Sequence, residues 1–73
     1  MWRIFNAIGA VDGVNRVYRA PVDYREESVA VYVNGIALEP SADNGFSLIP
    51  PGHFELAEAP NVGDHVQVGC AQK

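Results

Sequence analysis

The stretch "SVAVYVNGIALEP", residues 28–40, decides the fold. Two alternating apolar runs flank Asn34-Gly35, the pair that best tolerates the positive φ angles of a two-residue type I′ turn. That turn fixes the register: Val33 faces Ile36, Val31 faces Leu38 and Val29 faces Pro40. One face of this hairpin is therefore apolar throughout. The other carries Ser28, Ala30 and Tyr32 against Ala37 and Glu39, a mixed set. A slip of one residue would turn the apolar side chains to the wrong face, so pattern and turn specify one register.

Outward from the hairpin, the same short-range signals recur. "NRVYRAP" (15–21) alternates and stops at Pro21, and "DYREES" (23–28) reads as a polar connection. "PSADNG" (40–45) has loop chemistry. "FSLI" (46–49) and "HFELAEA" (53–59) flank "PPG" as a second hairpin. There Phe46, Leu48, Phe54 and Leu56 face a core, while Ser47 and Glu55 face out. "PNVGD" (60–64) is a further turn. "HVQVGC" (65–70) then places Val66, Val68 and Cys70 on one side. No window carries a helical period. Strands punctuated by turns about every ten residues predict an all-β fold. The expectation is a small single-domain β-sandwich or partly open barrel of about six to seven short antiparallel strands. Residues 10–73 form the domain, and residues 1–9 are an N-terminal arm or its first strand.

Seventy-three residues make one domain, and a domain of that size buries only roughly 60% of its unfolded surface. Such a domain needs a disulfide, a metal or a partner chain to reinforce it. A single cysteine, Cys70, cannot form an internal disulfide, and two histidines are too few for a structural zinc site. Oligomerisation, or docking into something larger, remains by elimination. No run approaches the roughly 20 apolar residues of a membrane span, and "MWRIFNAIGA" lacks the cleavage pattern of a signal peptide. The free thiol fits a reducing cytoplasm.

The net charge of −4 argues against a nucleic-acid-binding module of the basic kind. Arg3, Arg16, Arg19 and Arg25 all lie in the first third. From Glu26 to Gln72 there are seven carboxylates and neither Lys nor Arg. These groups either meet within one fold as solvated charge, or form a basic edge that meets a neighbour's acidic edge.

Chemistry finds little support. His53 and His65 each have a nearby carboxylate, Glu55 and Asp64, yet neither stands with a nucleophile at a usable spacing. Both read as surface side chains, and Cys70 reads as a buried, inert thiol. Asp12-Gly13-Val14-Asn15 lacks the further ligands of a calcium loop and reads as a turn. "GVDGVN" has no lysine and no following helix, so it is not a phosphate loop. No enzyme activity, metal, cofactor or small-molecule substrate is expected.

The order of the motifs resembles a β-module common in structural proteins of tailed bacteriophages. That module runs Asp-Gly-x-Asn with an aromatic strand ending in Pro, then a "VFVNG"-type hairpin, then a short strand pair, then Ala-Pro-x-x-Gly-Asp-x-Val-x-Val. The matching positions are Asp12, Gly13, Asn15, Tyr18 and Pro21; Tyr32, Val33, Asn34 and Gly35; Ala59, Pro60, Gly63, Asp64, Val66 and Val68. The likeness covers roughly residues 10 to 70. It departs at Cys70, where the module usually carries an aromatic, and at Asp43-Asn44, where an Asp-Tyr pair is common.

The resemblance implies a virion protein made in the host bacterial cytoplasm. It would be a head–tail neck or tail component that assembles with copies of itself and with other virion proteins. A capsid decoration protein and a tail-fibre adaptor are alternatives, and a host-surface glycan-binding module is a rival from another class. Contacts are expected at sheet edges and turn tips: Trp2, Arg3, Phe5, Arg16, Arg19, Arg25 and Tyr32. Asp12, Gly13, Asn15, Asn34, Gly35, Gly63 and Asp64 are the structural turn residues. A glycan site would draw on Tyr24 and Tyr32. The arm's Trp2, Ile4, Phe5 and Ile8 are expected to add a strand to the domain's own core, with reach into a neighbouring subunit as the alternative.

Overall fold

Seven strands and one 3-10 turn succeed one another in the computed structural model, which describes residues 2–49 and 52–72. The strands are β1 (Trp2–Asn6), β2 (Val17–Arg19), β3 (Ala30–Val33), β4 (Ile36–Ala37), β5 (Phe46–Ile49), β6 (His53–Leu56) and β7 (Val66–Ala71). They form two antiparallel sheets, ordered β1-β7-β3-β4 and β2-β6-β5. The radius of gyration is 11.0 Å, matching the ~11 Å of a compact chain of this length. The chain is a small all-β domain.

The β3–β4 hairpin forms about the turn that its sequence dictates. Asn34 (φ 53°) and Gly35 (φ 81°) both take the left-handed conformation of a type I′ turn. Val33 pairs with Ile36, Tyr32 with Ala37, and the Leu38 N–H donates to the Val31 carbonyl at 2.9 Å. The pairing of Val29 with Pro40 does not occur. The Glu39 carbonyl instead accepts from the N–H groups of Ser41 (2.8 Å) and Phe46 (3.0 Å), which draws the chain across to the second sheet. Ile36 also departs from expectation. It shares the core-facing side but overhangs the sandwich at the hairpin tip, 69% exposed.

The two sheets close on a core built from alternate residues. Val31, Val66, Val68 and Cys70 come from one sheet, and Tyr18, Phe46, Phe54 and Leu56 from the other. The second hairpin pairs Phe46 with Leu56, Ser47 with Glu55 and Leu48 with Phe54, as its pattern requires. Its Pro50-Pro51 corner lies outside the described residues, and Gly52 (φ 79°) leads the chain back into β6. Tyr18 and Phe54 are a cross-strand pair with ring centroids 6.2 Å apart. The buried Tyr18 hydroxyl is satisfied by the carbonyls of Ala10 (3.0 Å) and Asn15 (3.2 Å), so its ring fills the core without an orphaned donor.

The N-terminal segment is a strand of this domain. β1 pairs along β7 from Trp2–Ala71 to Asn6–Gln67, and Ile8 crosses to bridge Arg19 in the other sheet. The polar connection 23–28 holds a surprise in Tyr24, which is buried and bridges Gln72. A 3-10 turn, Glu26–Ser28, follows it. Ser28 fastens this turn to β7: its hydroxyl donates to the Arg25 carbonyl (2.6 Å) and accepts the Ala71 N–H (2.8 Å).

Candidate functional site

The three turns quoted for the family resemblance converge at one end of the sandwich. Asn34, at the tip of the β3–β4 hairpin, donates from Nδ2 to Asp64 Oδ1 (3.0 Å) and accepts the His65 N–H on Oδ1 (2.9 Å). Asp64 Oδ2 accepts the Asn61 N–H at 2.8 Å, which closes the turn before β7. These bonds, led by the Asn34 amide, hold the Asp64 carboxyl below the usual carboxylate range. Gly63 takes φ 95° in the same turn.

The Asp12–Asn15 turn adjoins them. Asp12 Oδ1 accepts the N–H groups of Val14 (2.9 Å) and Asn15 (2.8 Å), an Asx turn in which Gly13 takes φ 85°. The Asn15 N–H bond, then that of Val14, lowers the Asp12 pKa. Asn15 donates to the carbonyls of Ala10 (3.2 Å) and Val17 (2.8 Å), tying the turn to β2. The Val62 side chain lies beside Gly13, near enough for ordinary contact with a Cβ placed there.

Each turn also presents an aliphatic side chain to solvent. Val14 is 80% exposed, Val62 75% and Ile36 69%. Side-chain hydrogen bonds rigidify the backbone beneath them, so these apolar tips are presented on an ordered platform. An open cleft of about 390 Å³ lies beside it, its lining including the apolar Val33 and Leu38 and the carboxylates Asp43, Glu58 and Asp64. The sequence identified the turn residues but not the exposed tips, because an isolated Val in a turn carries no pattern.

The other named residues fall elsewhere. Arg16 pairs with Glu55 at 3.5 Å, both half-exposed, so one cation of the basic third meets a carboxylate within the fold. Arg19 and Arg25 are exposed, and Arg3 stacks on Phe5, 5.6 Å from its ring centroid. Phe5 itself packs against the domain's own core and is only partly exposed; as an inward residue of β1 it is no free anchor. Trp2 is 45% exposed, but its ring lies over Gly69 and its indole N–H donates to the Ser28 carbonyl (2.9 Å).

Of the two tyrosines that the rival glycan reading would draw on, the structure buries Tyr24. Tyr24 is 5% exposed and Tyr18 1% exposed, because both rings fill the core, leaving Tyr32 on the outer sheet face without them. His53, at the start of β6, and His65, just before β7, are both exposed, and Cys70 is fully buried, with burial raising its thiol pKa. No group of three His, Cys, Asp or Glu residues among the described residues is placed to hold a metal. No helix among them is long and apolar enough to cross a membrane.

No family model, curated protein or solved structure matches the chain.

Proposed function

We propose that this protein is a structural component of a tailed-bacteriophage virion, a head–tail neck or tail tile that packs against copies of itself and other virion proteins. The observation that supports this reading is the clustering of the three motif turns. A module whose role is contact needs rigid, apolar projections, and Val14, Val62 and Ile36 project from backbone fixed by Asp12, Asn15, Asn34 and Asp64. Exposed apolar side chains gathered at one end of a domain suit a contact surface, and the turns that carry these three adjoin through Asn34–Asp64 and Val62–Gly13.

Mass spectrometry of purified phage particles tests the proposal. Recovery of the chain in stoichiometric amount with other virion proteins is expected. Its absence from particles produced by cells that express it would overturn the reading.

A further inference from the structure

We infer that two copies of this chain join edge to edge through β1, antiparallel about a two-fold axis at Ile4. In an antiparallel ladder, successive residues turn their backbone groups alternately toward and away from a given neighbour. The Ala7 N–H donates to the Val66 carbonyl at 3.0 Å, so Phe5 and Arg3 also face β7. Trp2, Ile4, Asn6 and Ile8 then face away. Ile8 is satisfied by a reciprocal pair with Arg19 (2.8 and 3.0 Å). No partner among the described residues takes the outward backbone groups of Trp2, Ile4 and Asn6.

The remaining sheet edges are short or covered. β4 has two residues. On β5, the outward N–H of Phe46 is bound by the Glu39 carbonyl, leaving Leu48 as the one residue with both outward groups open. On β2, Arg19 is bound by Ile8, and Val17 is capped on both backbone groups by Asn15. β1 is thus the long edge without the usual protection of proline, lysine or a covering loop. On its outer face Ile4 is 51% exposed, and the one charged side chain of the strand, Arg3, lies on the other face over the Phe5 ring.

What fits that edge is another β1. Three alternate open residues need three alternate open residues opposite, and no other edge among the described residues supplies them. With Ile4 facing Ile4 of the second copy, Trp2 of each copy faces Asn6 of the other. Every open N–H and C=O of the three residues then finds a partner, and the two exposed isoleucines cover each other. The Trp2 ring does not obstruct this approach, since it folds inward over Gly69. A five-residue edge is only about 17 Å long, so the contact falls below the ~800 Å² per partner of a standard interface. The pairing is therefore concentration-dependent. It does not need the virion reading, although it would give a tile a defined first contact.

Sedimentation of the full chain from micromolar to millimolar concentration tests this, with Ile4→Pro and Ile4→Lys beside it. The Ile4 N–H makes no bond to β7, so proline there leaves the intrachain ladder complete. Lysine keeps the strand but sets like charges directly opposite each other. A monomer–dimer equilibrium weakened about tenfold or more by either substitution, in variants with unchanged circular dichroism, is expected. As a check on register, Ile4→Cys should form a disulfide-linked dimer under oxidation, while Val14→Cys at the distant turn should not. A wild-type chain that stays monomeric, or a dimer that both Ile4 variants leave intact, would overturn the inference. Either result leaves the virion reading standing if the chain is found in particles, and a β1 dimer of a chain absent from particles would sink only the virion reading.

Discussion

Asn34 and Asp64 lie thirty positions apart and meet side chain to side chain at 3.0 Å, joining the tip of the first hairpin to the turn that launches β7. Asn34 serves two purposes at once. Its backbone takes a positive φ that few residues tolerate, and its amide locks the neighbouring turn. Asn34→Gly separates them, since glycine accepts the φ but lacks the amide. Chemical denaturation should show a loss of roughly 1 kcal/mol from the His65 N–H bond alone. Asn34→Gly and Asp64→Ala should be non-additive when combined, because each removes the same contact.

The depressed pKa values of Asp64 and Asp12 set the direction of the acid response. Each carboxyl is more acidic folded than unfolded, so its ionised form favours the folded chain. That contribution is complete above the unfolded carboxylate range and is lost as pH falls through the depressed folded value. Urea midpoints of wild type and Asp64→Asn should therefore differ at neutral pH and converge in acid. A gap that stays constant across the titration would contradict the assignment.

Gly69 has no side chain because Trp2 occupies the space. A Cβ at Gly69 would overlap the indole ring, which must then swing out and release the Ser28 carbonyl. Gly69→Ala is expected to lower stability by about 1–2 kcal/mol and to shift Trp2 fluorescence toward that of a solvated indole. Trp2 is the only tryptophan in the chain, so the signal is unambiguous.

Gly45 faces a stiffer obstacle. A Cβ there would strike the Glu39 backbone, which cannot yield without breaking its bond to the Phe46 N–H. Gly45→Ala should cost about 3 kcal/mol or more, a large share of the stability of a domain this small. Thermal melts would show it directly.

Cys70 offers a probe that needs no mutation. It is fully buried and its thiol pKa is raised by that burial, so a thiol reagent should react only through opening of the fold. The labelling rate should rise steeply across the urea transition and stay low before it.

Much of this architecture was legible in local sequence. The Asn34-Gly35 turn fixes its own φ angles, and alternation in "FSLI" and "HVQVGC" places Phe46, Val66 and Val68 inward. Those are period-two and turn signals, which depend on neighbours in the chain. Tyr24 was not legible. It sits among charged residues in "DYREES", and only the close of β7 against that segment buries it. The candidate contact end was half legible: the motif turns were readable one by one, but not their convergence.

The sequence by itself determined the strands of both hairpins and β7, their faces and the hairpin registers next to the turns, because alternation and turn chemistry act over a few residues. That Trp2–Asn6 forms a strand along β7 was left to the tertiary structure. Tertiary structure decided which turns share an end, which aromatics are buried, and which strand edges remain open. Those depend on how the two sheets stack and on which carbonyls and N–H groups find distant partners. The Ile8–Arg19 bridge shows the difference, because it satisfies one outward residue of β1's extension and leaves Trp2, Ile4 and Asn6 open. No short-range pattern marks where such a bridge falls.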